Sequence, residues 1–334
     1  MHPVPKRGLG MFALAICATA AATLAFRGGA LATSSQPAAW PNQPITIVVT
    51  FPPGGGTDLL ARKLGERLAT RTGQPVIVEN RPGASGNVGA RWVADAPADG
   101  QTLLMVNSSY AISPAVFSKL PFSPEQDFTA VINVAYVPTV IVVPAAAPAR
   151  NLAEWLAGRD GLAPPYASCG NGTPQHLAGE MLARAAQRPL LHVPYRGCGP
   201  ALQDVAAGQV GAALVTASSA APFIESGHIR ALAVTSPERS PGLPEVPTVA
   251  ESGFPGYALD QWHGLLARRD TAPAHVQALY EHLAAVAAEP DLQRDLRALG
   301  FNTVIEGPAV FERIVKHDIE RFAQLAQAAG LRVD

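Results

Sequence analysis

The sequence predicts an α/β protein with two lobes, each built from parallel strands covered by helices. From Ile45 onward, short runs of β-branched and aliphatic residues alternate with segments that have helical periodicity, the pattern of successive βα units. About 300 residues follow the first 32, which is long for a single hydrophobic core. The fold class expected from these two observations is therefore two doubly wound lobes.

The first predicted units lie between residues 45 and 106. Residues 45–50 form a near-continuous β-branched run, as expected for a strand buried on both faces. Residues 57–71 carry Leu60, Leu64 and Leu68 on one helical face, and Gly73 ends the helix. The same reasoning predicts strands at 76–78 and 102–106 and a helix over 88–96.

Two segments are predicted to cross between the lobes. The first is a strand at 137–143 that ends in the proline-rich stretch 144–148, and the second lies near 257–266. The predicted division is a signal peptide at 1–32, lobe 1 from 33–141 plus 262–334, and lobe 2 from 142–261. The remaining predicted elements are strands at 166–168, 190–193, 210–215 and 229–234, and helices at 174 onward, 199–207, 273–288, 290–299 and 308–329.

The amino terminus has the pattern of a secretory signal. Lys6 and Arg7 precede an apolar stretch over 11–26, and the small-x-small triplet at 30–32 suits signal peptidase. The apolar stretch is shorter than the roughly 20 residues that span a bilayer, which disfavours a retained anchor. Attachment of lipid at Cys17 is disfavoured by the bulky Ile16. We therefore expect cleavage near residue 32 and a periplasmic location.

Charge and cysteine content further limit the class of protein to which this chain can belong. Residues 1–32 hold three basic and no acidic side chains, which leaves 22 basic and 26 acidic groups and a net charge of −4. This balance argues against nucleic acid as a partner. Cys169 and Cys198 then form an even pair in an oxidising compartment, so a disulfide is expected, with two free thiols as the alternative.

Four loops share one local design. Each is rich in glycine and small polar residues, follows a predicted strand and precedes a predicted helix; they are 54–57, 83–87, 170–173 and 197–199. Helix starts have free N–H donors and the positive end of the helix dipole, and glycine lets an anion approach them. Such loops lie at the carboxyl ends of parallel strands, where ligands bind in α/β folds. The pattern predicts a cleft for a carboxylate.

A search for catalytic or metal-binding groups finds none. The histidines show no metal spacing, the sequence lacks a nucleophile elbow, and the 54–58 loop lacks the lysine of a phosphate loop. Asp58 can complement its helix dipole or touch ligand, and His176 can donate to ligand or lie on the helix surface. Arg196 can hold a ligand carboxylate or pair with an acid, and Trp262 can stack on a ligand or pack the crossing. No cofactor is expected.

The motifs at 51–58, 80–87, 171–180, 192–197, 230–235 and 246–251 closely resemble the Bug family, the receptors of tripartite tricarboxylate transporters. The resemblance implies a type II periplasmic-binding-protein fold with two lobes joined by two crossing segments. It also implies that loop amides hold the ligand carboxylate and that integral-membrane transporter subunits are partners. The candidate ligand-binding residues are Gly54, Gly55, Gly56, Thr57, Asp58, Ser85, Gly86, Asn87, Asn171, Gly172, Thr173, His176, Arg196 and Trp262.

This chain departs from the family at two places. Cysteines stand at 169 and 198 where small residues such as serine are usual, and residues 216–219 are neutral where relatives often carry an aspartate. A cleft without that acid favours a carboxylate ligand that has no amino group. We expect a monomeric, non-enzymatic receptor. The alternatives are a receptor that presents its ligand to a sensor kinase and, in another class, a periplasmic hydrolase.

Overall fold

A ten-stranded sheet with helices on both faces forms the centre of the protein. The computed structural model describes residues 40–158 and 162–333, so the signal peptide predicted at 1–32 lies outside the described residues. The strands are β1 Ile45–Val49, β2 Val76–Asn80, β3 Thr102–Asn107, β4 Phe128–Pro144, β5 Pro165–Ser168, β6 Leu191–Pro194, β7 Ala213–Thr216, β8 Ile229–Val234, β9 Asp260–Arg268 and β10 Asn302–Glu306.

The helices alternate with these strands along most of the chain. They are α1 Gly56–Thr72, α2 Asn87–Ala94, α3 Ser109–Val116, α4 Leu152–Ala157, α5 Pro174–Ala185, α6 Cys198–Ala206, α7 Ala217–Glu225, α8 Pro273–Ala287, α9 Pro290–Ala298 and α10 Pro308–Ala329. No helix in the described ranges is both long and apolar enough to span a bilayer.

The strand order shows how the chain crosses the sheet. The path is β2-β1-β3-β9-β4-β7-β5-β6, and β8 and β10 also pair with β4. The groups β1–β3 and β5–β7 pair in parallel, whereas β4 and β9 are antiparallel to each other. The first part of β4 pairs with β9 and β10, and its second part pairs with β7 and β8. The α/β class is confirmed, and the division into lobes at 141/142 and 261/262 stays a prediction.

The core consists of two apolar layers, one on each face of the sheet. Leu60, Leu64 and Leu68 of α1 are fully buried in one layer, so the helical face predicted from their spacing is confirmed. Phe311 and Phe322 of α10 are buried in the other layer. The C-terminal helices therefore contribute to the core on which the strand ends, and hence the cavity, depend.

Several elements differ from the sequence predictions. β4 begins nine residues before the predicted 137, because its first part pairs with β9 and β10 far along the chain. β10 lies between the helices predicted at 290–299 and 308–329, where no strand was predicted; it is short and partly exposed, and its pairing with β4 is irregular. Helices α3, α4 and α7 were not predicted; α3 and α7 each contain a proline, which hides their periodicity.

His263 is an unusual member of the sheet. Its side chain is fully buried on β9 and packs edge-on against Phe301 at 5.8 Å between ring centroids, and neither ring nitrogen has a hydrogen-bond partner among the residues that the structure describes. Burial lowers the pKa of His263 to about 3. The folded protein therefore holds this imidazole neutral, and exposing it on unfolding lets it take up a proton.

Replacing His263 by phenylalanine should make the protein more stable and less sensitive to acid. Between the unfolded pKa near 6.5 and the folded value near 3, only the unfolded chain binds the proton, so stability present above pH 6.5 is lost as the pH falls, by about 1.4 kcal/mol per pH unit. His263→Phe removes this loss and a buried unpaired N–H, which costs about 1–3 kcal/mol. Denaturant unfolding at pH 7 and 4.5 measures both effects. His228→Phe, at an exposed position, is the control and should leave the pH dependence unchanged.

Candidate functional site

A cavity of about 710 Å3 lies at the carboxyl ends of β1, β5 and β6. Parallel strands end there and their following helices begin, as expected for a ligand site in this class of fold. The lining residues are Thr50, Phe51, Pro52, Pro82, Gly83, Ala84, Ser85, Gly86, Phe117, Cys169, Gly170, Asn171, Pro194, Tyr195, Arg196, Gly197 and Val333. Four of the candidate residues, Ser85, Gly86, Asn171 and Arg196, are in this set.

The loop at 83–87 forms one wall of the cavity and has a strained backbone. Ala84 and Ser85 have φ angles of 44° and 56°, a region that L residues rarely adopt. Such conformations cost on the order of 1–3 kcal/mol each and concentrate at functional sites. The Ser85 hydroxyl donates a hydrogen bond to the backbone carbonyl of Asn171, which brings the loops at 83–87 and 170–173 into contact.

Asp58 braces its own loop and does not line the cavity. Its carboxylate accepts hydrogen bonds from the Gly54 amide at 2.9 Å, from Asn80 Nδ2 at 2.8 Å and from Arg62 Nε at 3.0 Å. Burial alone would raise the pKa of Asp58, but these hydrogen bonds, led by that of Arg62, outweigh it and lower the pKa. The geometry matches the structural alternative considered for Asp58.

The start of α1 packs against the start of α7. The Gly56 amide donates to Ser219 Oγ at 3.2 Å, and the space that a side chain on Gly56 would need is taken by Ser218 Oγ. Thr57 is buried on the other side, where Asn107 Nδ2 donates to its hydroxyl at 3.5 Å. Gly54, Gly55, Gly56 and Thr57 therefore do not line the cavity in this arrangement, and the Gly56 amide is already satisfied within the protein.

A disulfide joins Cys169 and Cys198, as predicted. It connects the loop after β5 to the first residue of α6, and the Gly197 amide donates to the Cys169 carbonyl at 3.0 Å beside it. Cys169 itself lines the cavity. The bridge therefore fixes two neighbouring loops of the cavity wall relative to each other.

Thr173 and His176 hold the start of α5 and face away from the cavity. Thr173 is the N-cap, as predicted, and its side chain accepts from the His176 amide. His176 Nδ1 accepts from the Gly172 amide at 3.2 Å, and its ring stacks on His192 at 3.7 Å between centroids. Burial, together with the neighbouring His192, lowers the pKa of His176 to about 3. The hydrogen bond between Gly172 and His176 thus supports the turn at Asn171, and neither of these two residues lines the cavity.

Among the described residues that line the cavity, Arg196 is the one with a charged side chain. It is exposed and has no ion pair or hydrogen bond to any other residue in 40–158 and 162–333. Of the two alternatives considered for Arg196, pairing with an acid is absent in this arrangement. Its guanidinium is available to a ligand, and it fits a carboxylate through two parallel hydrogen bonds.

Trp262 packs in the core. It is 1% exposed, its ring lies edge-on to Phe311 at 5.1 Å between centroids, and its Nε1 donates to Asp318 at 2.9 Å. It does not line the cavity. The structure therefore corrects the assignment of Trp262 to the ligand-binding set: side chains alternate along β9, and this one points to the layer formed by α10.

Sequence reasoning missed the apolar part of the lining. Phe51 and Pro52 immediately precede the loop that was singled out, and Tyr195 precedes Arg196, so proximity to the motifs was an available signal. Phe117 and Val333 come from distant parts of the chain. The Val333 amide donates to the Val116 carbonyl at 3.0 Å, which places Val333 beside the cavity. No local sequence pattern predicts this contact.

A much smaller cavity, of about 10 Å3, lies next to the main one. The two share Thr50, Phe51, Ser85 and Gly86 in their walls. The small cavity is completed by Asn87, a candidate residue, and by Ala90, Val106, Asn107, Ser109 and Tyr110. Asn107 is the last residue of β3 and Ser109 is the first residue of α3, so the end of β3 also contributes to the site, without a glycine-rich loop to mark it.

Comparison with known sequences agrees with this architecture. Residues 60–331 match the family described as tripartite tricarboxylate transporter family receptor. The chain is 39% identical over 303 residues to the UPF0065 protein in the tcbD-tcbE intergenic region of Pseudomonas sp. strain P51, covering 89% of this chain and 90% of the relative. It is 32% identical over 299 residues to protein BugT of Bordetella pertussis, covering 88% and 91%.

Solved structures show the same fold. R. palustris Rpa4515 with adipate is 33% identical, with a TM-score of 0.85 and coverage of 88% of this chain and 100% of that one. MatC from Rhodopseudomonas palustris with bound malate is 30% identical, with a TM-score of 0.79 and coverage of 85% and 99%. The periplasmic binding protein BugD is 32% identical, with a TM-score of 0.83 and coverage of 88% and 100%. The resemblance noted in the motifs is confirmed, and this chain belongs to the tripartite tricarboxylate transporter receptor family.

Proposed function

We propose that this protein is a periplasmic receptor that captures a small carboxylate in the 710 Å3 cavity and delivers it to the membrane subunits of a tripartite tricarboxylate-type transporter. Membership of the receptor family supports the transport role. Adipate and malate, bound by two structural neighbours, support the ligand class. The signal-like amino terminus supports export.

The observation that carries the proposal is the charge of the cavity wall. Among residues 40–158 and 162–333, Arg196 is the one charged side chain of the wall, and the turns at 83–86 and 170–171 add backbone polar groups. A buried anion needs such a cation or hydrogen-bond donors to replace its hydration. A carboxylate can pair with Arg196 and with these backbone groups, whereas the only charged side chain that a cationic ligand would find in the described wall is Arg196, which has the same sign of charge.

The same wall indicates what the rest of the ligand looks like. Phe51, Phe117 and Tyr195 supply aromatic surface, and three prolines and Val333 add further apolar surface. Ligand sites of this kind use a few polar groups for orientation and apolar surface for affinity. We therefore infer a carboxylate carried on a short aliphatic chain or a ring.

An amino group on the ligand is not favoured. An ammonium needs an acidic partner when it is taken from water, and the stretch 216–219 that begins α7 is neutral. Asp58, the acid closest in sequence to the glycine loop, is fully engaged by Gly54, Asn80 and Arg62. We propose that amino-acid ligands bind more weakly than simple organic acids of the same length.

The protein is proposed to act by binding alone. Ser168 and His192 lie 2.6 Å apart, Oγ to Nε2, which is the geometry of a nucleophile and its base, but Ser168 is fully buried and its hydroxyl also engages Gly170. A substrate therefore has no access to this hydroxyl. Recovery of every bound acid unchanged after prolonged incubation is the expected result.

The ligand class is tested by a thermal-shift panel with native mass spectrometry of protein purified without refolding. Simple monocarboxylates and dicarboxylates should raise the melting temperature, while aspartate and glutamate should raise it less than succinate and glutarate. Strong stabilisation by the amino acids alone would reverse the preference. Absence of any shift with every organic acid, in protein shown to be ligand-free, would contradict the carboxylate assignment.

Replacing Arg196 by alanine should lower carboxylate affinity by about 10-fold or more. A hydrogen bond to a charged group contributes about 1.5–3 kcal/mol, and 1.4 kcal/mol corresponds to a factor of ten. Titration calorimetry with the best acid from the panel measures the change. Arg294→Ala, which removes an exposed arginine on α9 paired only with Asp291, is the matched control. Equal affinities of the Arg196→Ala and Arg294→Ala variants would remove Arg196 from the site.

A further inference from the structure

We infer that Ser109 is a specificity-determining residue that holds a second ligand oxygen at the inner end of the cavity. The inference rests on the proposed function, since it concerns the ligand of the same site. The small cavity shares four wall residues with the main cavity, which are Thr50, Phe51, Ser85 and Gly86. Because of these shared residues, we treat the small cavity as an inner extension of the larger one.

Ser109 carries a buried hydroxyl in this extension that lacks a partner. It is 1% exposed, it lines the small cavity, and its Oγ makes no hydrogen bond within the described part of the chain. Two neighbouring polar groups are engaged: Thr50 Oγ1 donates to the Met105 carbonyl, and Asn107 Oδ1 accepts from the Ser109 amide at 2.9 Å. Buried hydroxyls are almost always hydrogen-bonded, so this one calls for a partner that enters from the cavity.

The size of the extension limits that partner to about one atom. A volume of about 10 Å3 is close to that of one water-sized probe and cannot take a methylene chain. An oxygen fits on chemical grounds as well, since Ser109 is the first residue of α3, where the helix dipole favours a negative group. A methyl group of the same size would leave the hydroxyl unpaired.

The ligand is therefore recognised at two places in the cavity, and these places differ in their chemistry. Arg196 takes a carboxylate at the exposed wall, and Ser109 takes a single oxygen from a hydroxyl or a second carboxylate at the inner end. Sites that hydrogen-bond a ligand oxygen reject analogues that lack it, because the buried group is then unsatisfied. Ser109 should accordingly discriminate between acids that differ only at the end far from the first carboxylate.

Two matched ligand series test the inference by titration calorimetry. The six-carbon series is adipate, 6-hydroxyhexanoate and hexanoate, and the four-carbon series is succinate, 4-hydroxybutanoate and butanoate. In at least one series the wild-type protein should bind the first two acids at least 10-fold more tightly than the third. Ser109→Ala should lower affinity for the first two by about 10-fold and leave the third unchanged, which abolishes the discrimination.

Ser113→Ala is the matched control. Ser113 lies one turn further along α3, is fully buried, also has an unpartnered hydroxyl, and does not line either cavity. This variant should keep wild-type affinity and discrimination. Both substitutions remove an unsatisfied buried hydroxyl, so neither should lower the melting temperature.

The possible results separate the inference from the proposed function. If the wild-type protein binds and Ser109→Ala loses affinity equally for all three acids of a series, an ordered water satisfies the serine. That result would overturn the inference alone. Unchanged affinities in Ser109→Ala, or the same losses in Ser113→Ala, would also overturn it. Failure of ligand-free wild-type protein to bind any of the six acids would contradict the proposed function, and the inference with it.

Discussion

Replacing Cys169 and Cys198 together by serine should lower the free energy of unfolding by about 3–4 kcal/mol. The bridge spans a sequence separation of 29 residues, and closing a loop of that length reduces the entropy of the unfolded chain by about this amount on the chain-entropy model. For a chain of this size the melting temperature should fall by roughly 6 °C. Differential scanning calorimetry of the wild-type and double-serine proteins measures the change.

Reduction of the wild-type protein supplies the control. A reducing agent should lower the wild-type melting temperature towards that of the serine variant and leave the variant itself unchanged. Ligand affinity should fall as well, because Cys169 lines the cavity and the bridge holds it next to Gly197. A melting temperature unaffected by complete reduction would contradict the stabilising role of the bridge.

Replacing Gly56 by alanine should lower the free energy of unfolding by about 1–3 kcal/mol. The added Cβ would overlap Ser218 Oγ and lie 3.3 Å from Ser218 Cβ, so the Ser218 side chain must turn and the starts of α1 and α7 must give slightly. Overpacking of this kind destabilises the folded protein. The displacement also strains the Gly56 to Ser219 hydrogen bond that joins the β1–α1 and β7–α7 junctions. Denaturant unfolding measures the change in free energy.

A second substitution distinguishes steric overlap from other effects of alanine. Gly56→Ala combined with Ser218→Ala removes the overlapping hydroxyl and leaves only the milder contact with Cβ, so most of the lost stability should return. Ser218→Ala alone should be close to wild type in stability, since its hydroxyl has no partner within the described ranges. A double variant as unstable as Gly56→Ala would contradict the steric explanation.

Much of the fold could be predicted because local patterns coincide with local structure. The β-branched run at 45–50, the spacing of Leu60, Leu64 and Leu68, and the Thr173 cap followed by proline each correspond to an observed strand, helix or cap. The first part of β4 and all of β10 could not be predicted, because their strand character comes from pairing with each other and with β9 across long sequence separations.

The site was predictable only in part, for a similar reason. Glycine-rich loops correctly marked strand ends that precede helices, and two of the four, at 83–87 and 170–173, contribute candidate residues to the cavity wall. The loop at 54–57 shares the same composition, yet its Gly56 serves close packing against α7. Amino-acid composition alone cannot distinguish a loop that lines a cavity from a loop that packs against a helix. Ser109 carries no local signal, because its significance comes from a cavity enclosed by three separate loops.

The contact between Val333 and the Val116 carbonyl has a practical consequence for handling this receptor. Val333 also lines the cavity, so polypeptide appended after Asp334 would emerge beside the place where a ligand enters. A purification tag or fluorescent fusion at that end would compete for the same space and bias measured affinities.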